Sequence, residues 1–224
     1  MNQIICTVDL VLLTLKEGAL QVALLKRDKE PFKDVLALPG GFIHAEEDAD
    51  ARGAALRVLK EKAHITAPYL EQLATFSGPA RDPRGWSLSI VYYALVSIDI
   101  VEQVGHSGRD QIRLVDVDKL MQLPFDHQAI IGMAVDRLRN KSQYSSLPCY
   151  LAGENFTLPQ LQRVYEALMG GELNKVSFRR KMSEMGMLEE VDGRFGLAGA
   201  HRPAQLYRLR PEHREHLSLL ERGL

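Results

Sequence analysis

The chain has 224 residues, 46% of them hydrophobic and 25% charged, with a formal net charge of −1. That length allows one large or two small domains, and the composition is that of a globular protein rather than a disordered or fibrous one. The near-neutral balance excludes a global polybasic surface, and no run approaches the ~20 apolar residues of a membrane span. Cys6 and Cys149 lack metal-site spacing and suit a reducing cytoplasm.

Ile4 to Leu15 is apolar but carries Asp9, and lacks a basic leader and a small-residue cleavage site. It reads as a strand, not a signal peptide. Lys16-Glu17-Gly18 turns it into a second strand, Leu20 to Lys26. Val35 to Leu38 is a third strand, running into a tight Gly40-Gly41 turn. Ala51 to Ala63 has helical composition, with Ala54, Val58 and Leu59 available for packing and Leu56 at the edge. Leu70 to Phe76 and Leu88 to Ile100 read as strands, and Arg113 to Val117 as a short further one. Gln128 to Arg139 is an amphipathic helix with Ile130, Ile131, Ala134 and Leu138 on one side. Strands mixed with two helices in this order fit an α/β/α sandwich.

The composition changes at Asn140 to Pro148, a linker candidate that divides the chain into residues 1–148 and 149–224. From Asn155 onward the charge is slightly basic, a weak pointer to an anionic partner. Thr157-Leu158-Pro159-Gln160 starts a helix: Thr caps, Pro occupies the first turn and Gln reaches back. Leu158, Leu161, Val164, Tyr165 and Leu168 form its stripe, and Gly170-Gly171 ends it. Asn174 caps a second helix, Lys175 to Met182, that stops at Gly186. Met187 to Val191 is a strand candidate, Asp192-Gly193 a turn, and Gln205 to Leu209 the returning strand. Helix, short turn, helix and β-hairpin are the order of a winged helix-turn-helix.

Two stretches carry a resemblance, Leu38-Pro39-Gly40-Gly41-Phe42-Ile43 and Arg57-Val58-Leu59-Lys60-Glu61-Lys62-Ala63-His64-Ile65. They resemble the signature of Nudix hydrolases, which cut nucleoside diphosphates linked to another group. Arg57, Leu59, Glu61 and Ile65 match its helical end. The family's helix presents three carboxylates to Mg²⁺, and on this chain they fall at Val58, Glu61 and Lys62. An i, i+3, i+4 set shares a helix face, as hard oxygen ligands around a diphosphate require. Here one ligand is apolar and one is cationic. An ammonium ~4 Å from a metal position opposes each unit of metal charge by roughly 4 kcal/mol at an effective dielectric of 20. The family's glycine after the box is His64, and the spacing from Gly41 to Arg57 is longer than the pattern. The expectation is a retained fold with no catalytic residues and no metal site.

Adding Phe156 to Gln162, Ser177-Phe178-Arg179-Arg180-Lys181 and Arg202-Pro203-Ala204-Gln205-Leu206-Tyr207-Arg208, nearly the whole chain resembles the Nudix-related transcriptional regulators of the NrtR family. The resemblance implies a Nudix α/β/α sandwich followed by a winged helix-turn-helix domain. It implies a repressor of NAD metabolism genes that binds palindromic double-stranded operator DNA as a homodimer. ADP-ribose or a related NAD metabolite is the implied effector, with no required cofactor. The alternatives are an active ADP-ribose pyrophosphatase, or a regulator of the same architecture that answers to a pentose or phosphosugar.

Candidate ligand residues are Arg27, Gly41, Phe42, Arg81, Arg84, Trp86 and His127. Guanidinium groups fork onto diphosphate, and an indole stacks on adenine. The plainer readings are a solvated turn for residues 81–86, a surface charge for Arg27, core for Phe42, a capping role for Asp126-His127 and an i, i+4 pair of Glu61 with Arg57. Candidate DNA residues are Lys175, Ser177, Arg179, Arg180, Lys181, Arg194 and Arg202, with Arg208 also on the wing. Consecutive residues spread round a helix, so one or two of Arg179, Arg180 and Lys181 are expected at base edges and the rest on phosphate. The plain alternative is a solvated face.

Overall fold

The structure, a computed structural model, describes residues 4–105, 112–197 and 203–215. Contacts divide the chain into two compact units, Met1–Thr14 with Gln21–Val135, and Leu15–Leu20 with Asp136–Leu224. No helix among the described residues is long and apolar enough to cross a membrane.

The first unit is built on a mixed sheet. Its strands are β1 (Ile5–Lys16), β2 (Ala19–Lys26), β3 (Leu36–Ala37), β4 (Gly40–Phe42), β5 (Tyr69–Gly78), β6 (Ser87–Leu95) and β7 (Arg113–Asp116). The order is β3-β2-β1-β6-β5, with β4 pairing β1 and β7 pairing β2. β1 and β6 run parallel, Ile5 opposite Ser87 through Leu13 opposite Leu95. β1 is buried without a break from Val8 to Thr14, as expected of a central strand covered on both faces. Val8, Leu10 and Leu12 point to one side and join Tyr92 and Ala94 in a core cluster. The cover on that side comes from α1 (Ala51–Val58), the π-helical turn Leu59–Ala63 that continues it, and α2 (Ile98–Gly105). α3 (His127–Ser142) brings a buried stripe of Ile130, Ile131 and Ala134. The division between the two units falls within α3.

The strand expected to reach Ile100 stops at Leu95, and α2 follows. The β-branched run Ile98-Asp99-Ile100-Val101 looked extended. Packing overrode propensity, because Ile98, Val101 and Val104 at helical spacing all meet the core cluster.

In the second unit, α4 (Pro148–Ala152), β8 (Phe156–Thr157), α5 (Leu158–Met169) and α6 (Lys175–Glu184) precede β9 (Leu188–Leu197), β10 (Pro203–Leu209) and the short α7 (Glu212–Glu215). The capping box of Thr157 and Gln160 forms, Gly170 closes α5 in the left-handed region, and Asn174 caps α6 through Val176 and Ser177. Tyr165 of α5 meets Phe178 of α6 edge-on, ring centroids 5.5 Å apart. Strand order is β8-β10-β9. The turn expected at Asp192-Gly193 is instead a bulge inside β9. Gln205 pairs with Phe195 but Tyr207 with Glu190, so the intervening residues loop out, and Gly193 takes φ 65°. In the stretch read as a linker, α3 continues to Ser142, and Ser142, Ser145, Ser146 and Leu147 are buried. Small polar residues there are packed, with Ser142 and Ser145 returning hydrogen bonds to Leu138 and Lys141 carbonyls.

Candidate functional site

A pocket of about 570 Å³ opens in the first unit where the β3–β4 turn, the end of β2, the π-helical turn and the loop before β6 converge. Arg27, Gly41, Phe42, Arg81, Arg84 and His127 all line it. Gly40 and Gly41 earn their place by close approach. A Cβ on Gly40 would fall on the Asp9 carboxylate, and one on Gly41 would sit 3.0 Å from Val58 Cγ2. β4 thereby lies flat on β1, with Asp9 opposite Gly40 and the Leu10 N–H donating to the Pro39 carbonyl at 2.9 Å.

The pocket floor is a buried polar network. His127, 3% exposed, accepts at Nδ1 from the Leu38 N–H (3.1 Å), so its ring proton sits on Nε2, 3.9 Å from Asp9. Burial pushes the His127 pKa below the ordinary histidine range, partly offset by Asp9 and Asp126. Asp9 also accepts from Ser89 Oγ (2.7 Å) and lies 3.5 Å from Arg81. Arg81 forks onto Asp126 through two 2.9 Å bonds and donates to Ser87. Asp126, read from sequence as a helix cap, therefore serves as the counter-charge of Arg81.

The expected open guanidinium fork is thus already engaged at Arg81. Arg84 is held by Asp82 (2.6 and 3.0 Å) and stacks over the Phe42 ring at 5.4 Å. Phe42 is half exposed, making it a wall of the pocket and not core. Trp86 does not line the pocket. It precedes β6 in a bend and is 43% exposed, whereas Ser87, the first residue of the strand, accepts from Arg81. Arg27 donates to the carbonyls of Pro31 and Lys29 and lies over Phe125 at 4.9 Å. Asp9 and Phe125 were not singled out from sequence. The signal for Asp9 was a lone carboxylate inside an apolar strand.

The stretch from Arg57 to Ile65 spans the end of α1 and the π-helical turn. Val58 is 1% exposed in the core cluster. Glu61 pairs with Arg57 at 3.3 Å, as the plain i, i+4 reading had it. Arg57 also forks onto Asp48, 2.8 Å through each arm, and donates to the Phe42 carbonyl. Those bonds, with one from the His44 N–H, hold the Asp48 carboxyl down at about 2. The π-helical turn breaks the regular face assumed for positions 58, 61 and 62. His64 ends it in the left-handed region, φ 53°, where a glycine is less strained. Lys62 reaches back to donate to the Gly40 carbonyl. Among the described residues, no group of three or more His, Cys, Asp or Glu gathers where an ion could be held.

In the second unit, Phe178 and Met182 are the buried residues of α6. At 3.6 residues per turn, the opposite side carries Val176, Arg180 and Ser183, with Arg179 on one flank. Lys175, Ser177, Arg179 and Arg180 are exposed, and Lys181 is half-buried beside the inward stripe. Arg180 lies 3.7 Å from Glu184, both well exposed, a pair worth little in water. On the wing, Arg208 pairs with Glu189 at 2.6 Å and Arg194 belongs to β9. Arg202 lies outside the described residues.

Two family models match the chain, the NUDIX domain over residues 7–134 and the NrtR DNA-binding winged helix domain over residues 148–209. The chain is 41% identical over 203 residues to the ADPR responsive transcriptional repressor NtrR of Acinetobacter baylyi, covering 90% of this chain and 80% of that protein. It is similar to Shewanella oneidensis NrtR crystallised with a 27mer DNA, with TM-score 0.89 and 37% identity over 98% of this chain and 99% of that one. The NUDIX domain of the Shewanella protein, solved with ADP ribose, is similar at TM-score 0.54 and 35% identity over 62% of this chain and 90% of that one.

Proposed function

The chain belongs to the NrtR family, and on that premise we propose that it is a transcriptional repressor of NAD metabolism genes whose hold on DNA is released by ADP-ribose or a related NAD metabolite. The effector half is residues 1–148 and the DNA-binding half residues 149–224, acting as a homodimer on palindromic operators. The observation that carries this reading is the fate of the box. The Nudix fold implies Mg²⁺, and the residues present do not fit it: Val58 is in the core, Glu61 is taken by Arg57 and Lys62 is a cation. What remains is a pocket with a cationic wall around Gly40 and Gly41 and, among the described residues, no cluster of three or more His, Cys, Asp or Glu that could hold the ion for metal-assisted hydrolysis.

The direct test is a gel shift on the DNA upstream of its own operon. A retarded band that dissolves with ADP-ribose is expected. A band that ignores ADP-ribose but answers to a pentose or phosphosugar would move the effector to that class. Arg180→Ala is expected to weaken operator binding by about 1–3 kcal/mol, because this side chain stands opposite the buried stripe and can reach a base edge. If Arg179→Ala and Arg180→Ala both bind like wild type, α6 is not the reading helix. The enzyme alternative predicts AMP release from ADP-ribose with excess Mg²⁺ or Mn²⁺. We expect none, and turnover on the order of 1 s⁻¹, an ordinary enzyme rate, would defeat the repressor-only reading.

A further inference from the structure

We propose that Lys62 takes the place of the lost divalent cation, its ammonium joining Arg27 to neutralise the diphosphate of the bound ligand. The inference deepens the function proposed above and rests on it. Lys62 occupies a box position where the Nudix pattern has a metal carboxylate, and it lines the pocket together with Gly40, Gly41 and Arg27.

Desolvation outweighs the carboxylates around these two cations: Asp28 and Asp9 act on both Lys62 and Arg27, but burial still lowers the pKa of each. Of the six cations that line the pocket, three are ion-paired: Arg81 with Asp126, Arg84 with Asp82 and Lys26 with Asp34. The hydrogen bonds of Lys62 and Arg27 go to backbone carbonyls, which carry no net charge. Both groups have pKa values lowered first by desolvation, Lys62 although much of its side chain is exposed. A cation desolvated by a pocket wall gains most from an anion that enters the pocket. A diphosphate supplies two charges, enough to engage both Lys62 and Arg27, with Lys29 also on the pocket wall. Lys suits the position because its ammonium is a compact point charge, the form in which lysine binds phosphate elsewhere. The Gly40 carbonyl holds the amine at the turn until the ligand arrives.

The test is calorimetry of ADP-ribose with the full chain, in EDTA and in Mg²⁺. Wild-type affinity is expected to be the same in both. Lys62→Met should lose about 10- to 100-fold, the weight of one charge-assisted contact, in either buffer. Lys62→Arg should recover most of that loss. Lys62→Glu should bind least in EDTA and regain affinity with Mg²⁺, a rescue that a merely structural lysine would not give. Thermal melts of each variant report whether the fold holds. Wild-type affinity that drops on chelation would overturn the inference, as would Lys62→Met binding within twofold of wild type. A wild type that binds no ADP-ribose in either buffer would overturn the function reading and this inference with it.

Discussion

Replacing Arg81 with methionine is expected to destabilise the first unit by about 3–5 kcal/mol, the cost of breaking a buried ion pair from one side. Methionine is long enough to keep much of the packing, so the loss isolates the charge. Arg81 is 8% exposed and sits between two carboxylates, Asp126 at 2.9 Å and Asp9 at 3.5 Å. Without it, Asp126 is left half-buried and unpaired, and Asp9 loses the cation that offsets its burial. His127 reads this directly, because its Nε2 proton faces Asp9 while Nδ1 holds the Leu38 N–H. The measurement is urea unfolding, following the transition of the first unit. Asp126→Asn added to Arg81→Met should return part of the loss, since the amide needs no counter-charge. A loss under about 1 kcal/mol would show that backbone pairing of β1 with β4 fixes the floor without help from the ionic network.

The second large effect is coupling between the two halves. ADP-ribose is expected to weaken operator binding by about 5- to 150-fold, a coupling of ~1–3 kcal/mol. A dimer that reads two half-sites must set its recognition helices about 34–36 Å apart, one turn of DNA. A ligand that disturbs this spacing acts without touching DNA. His127, on the pocket floor, is the first residue of α3, and the boundary between the units falls within the same helix. Linkage is reciprocal, so operator DNA must weaken ADP-ribose binding by the same factor. Calorimetry with and without operator measures it. Equal ADP-ribose affinities in the two titrations would show that this ligand is not the effector, however tightly it binds.

Local signals in the sequence were enough for much of the architecture. The Thr157–Gln160 box, the Asn174 cap and the Gly170 stop each involve neighbours within a turn of helix, and each formed as read. The change of pattern near residue 140 and the helix-helix-hairpin order after it marked a second half, which the winged helix match over residues 148–209 supports. Where side chains went next was not local. Arg81 meets Asp126 across 45 residues and Ser89 meets Asp9 across 80, so the partner of each charge was set by strand register and could not be read from spacing. Trp86, one residue before the start of β6, is not among the pocket-lining residues. Ile98–Gly105 became a helix because its apolar side could be buried that way, against the preference of its β-branched residues. Sequence by itself determined that position 62 carries a lysine and position 58 a valine; only the pairing of β4 with β1 and the π-helical turn decided that Lys62 would reach the Gly40 carbonyl at the pocket wall and that Val58 would enter the core. The identity of a side chain is a property of one residue, whereas the position of a charge depends on every element that desolvates it.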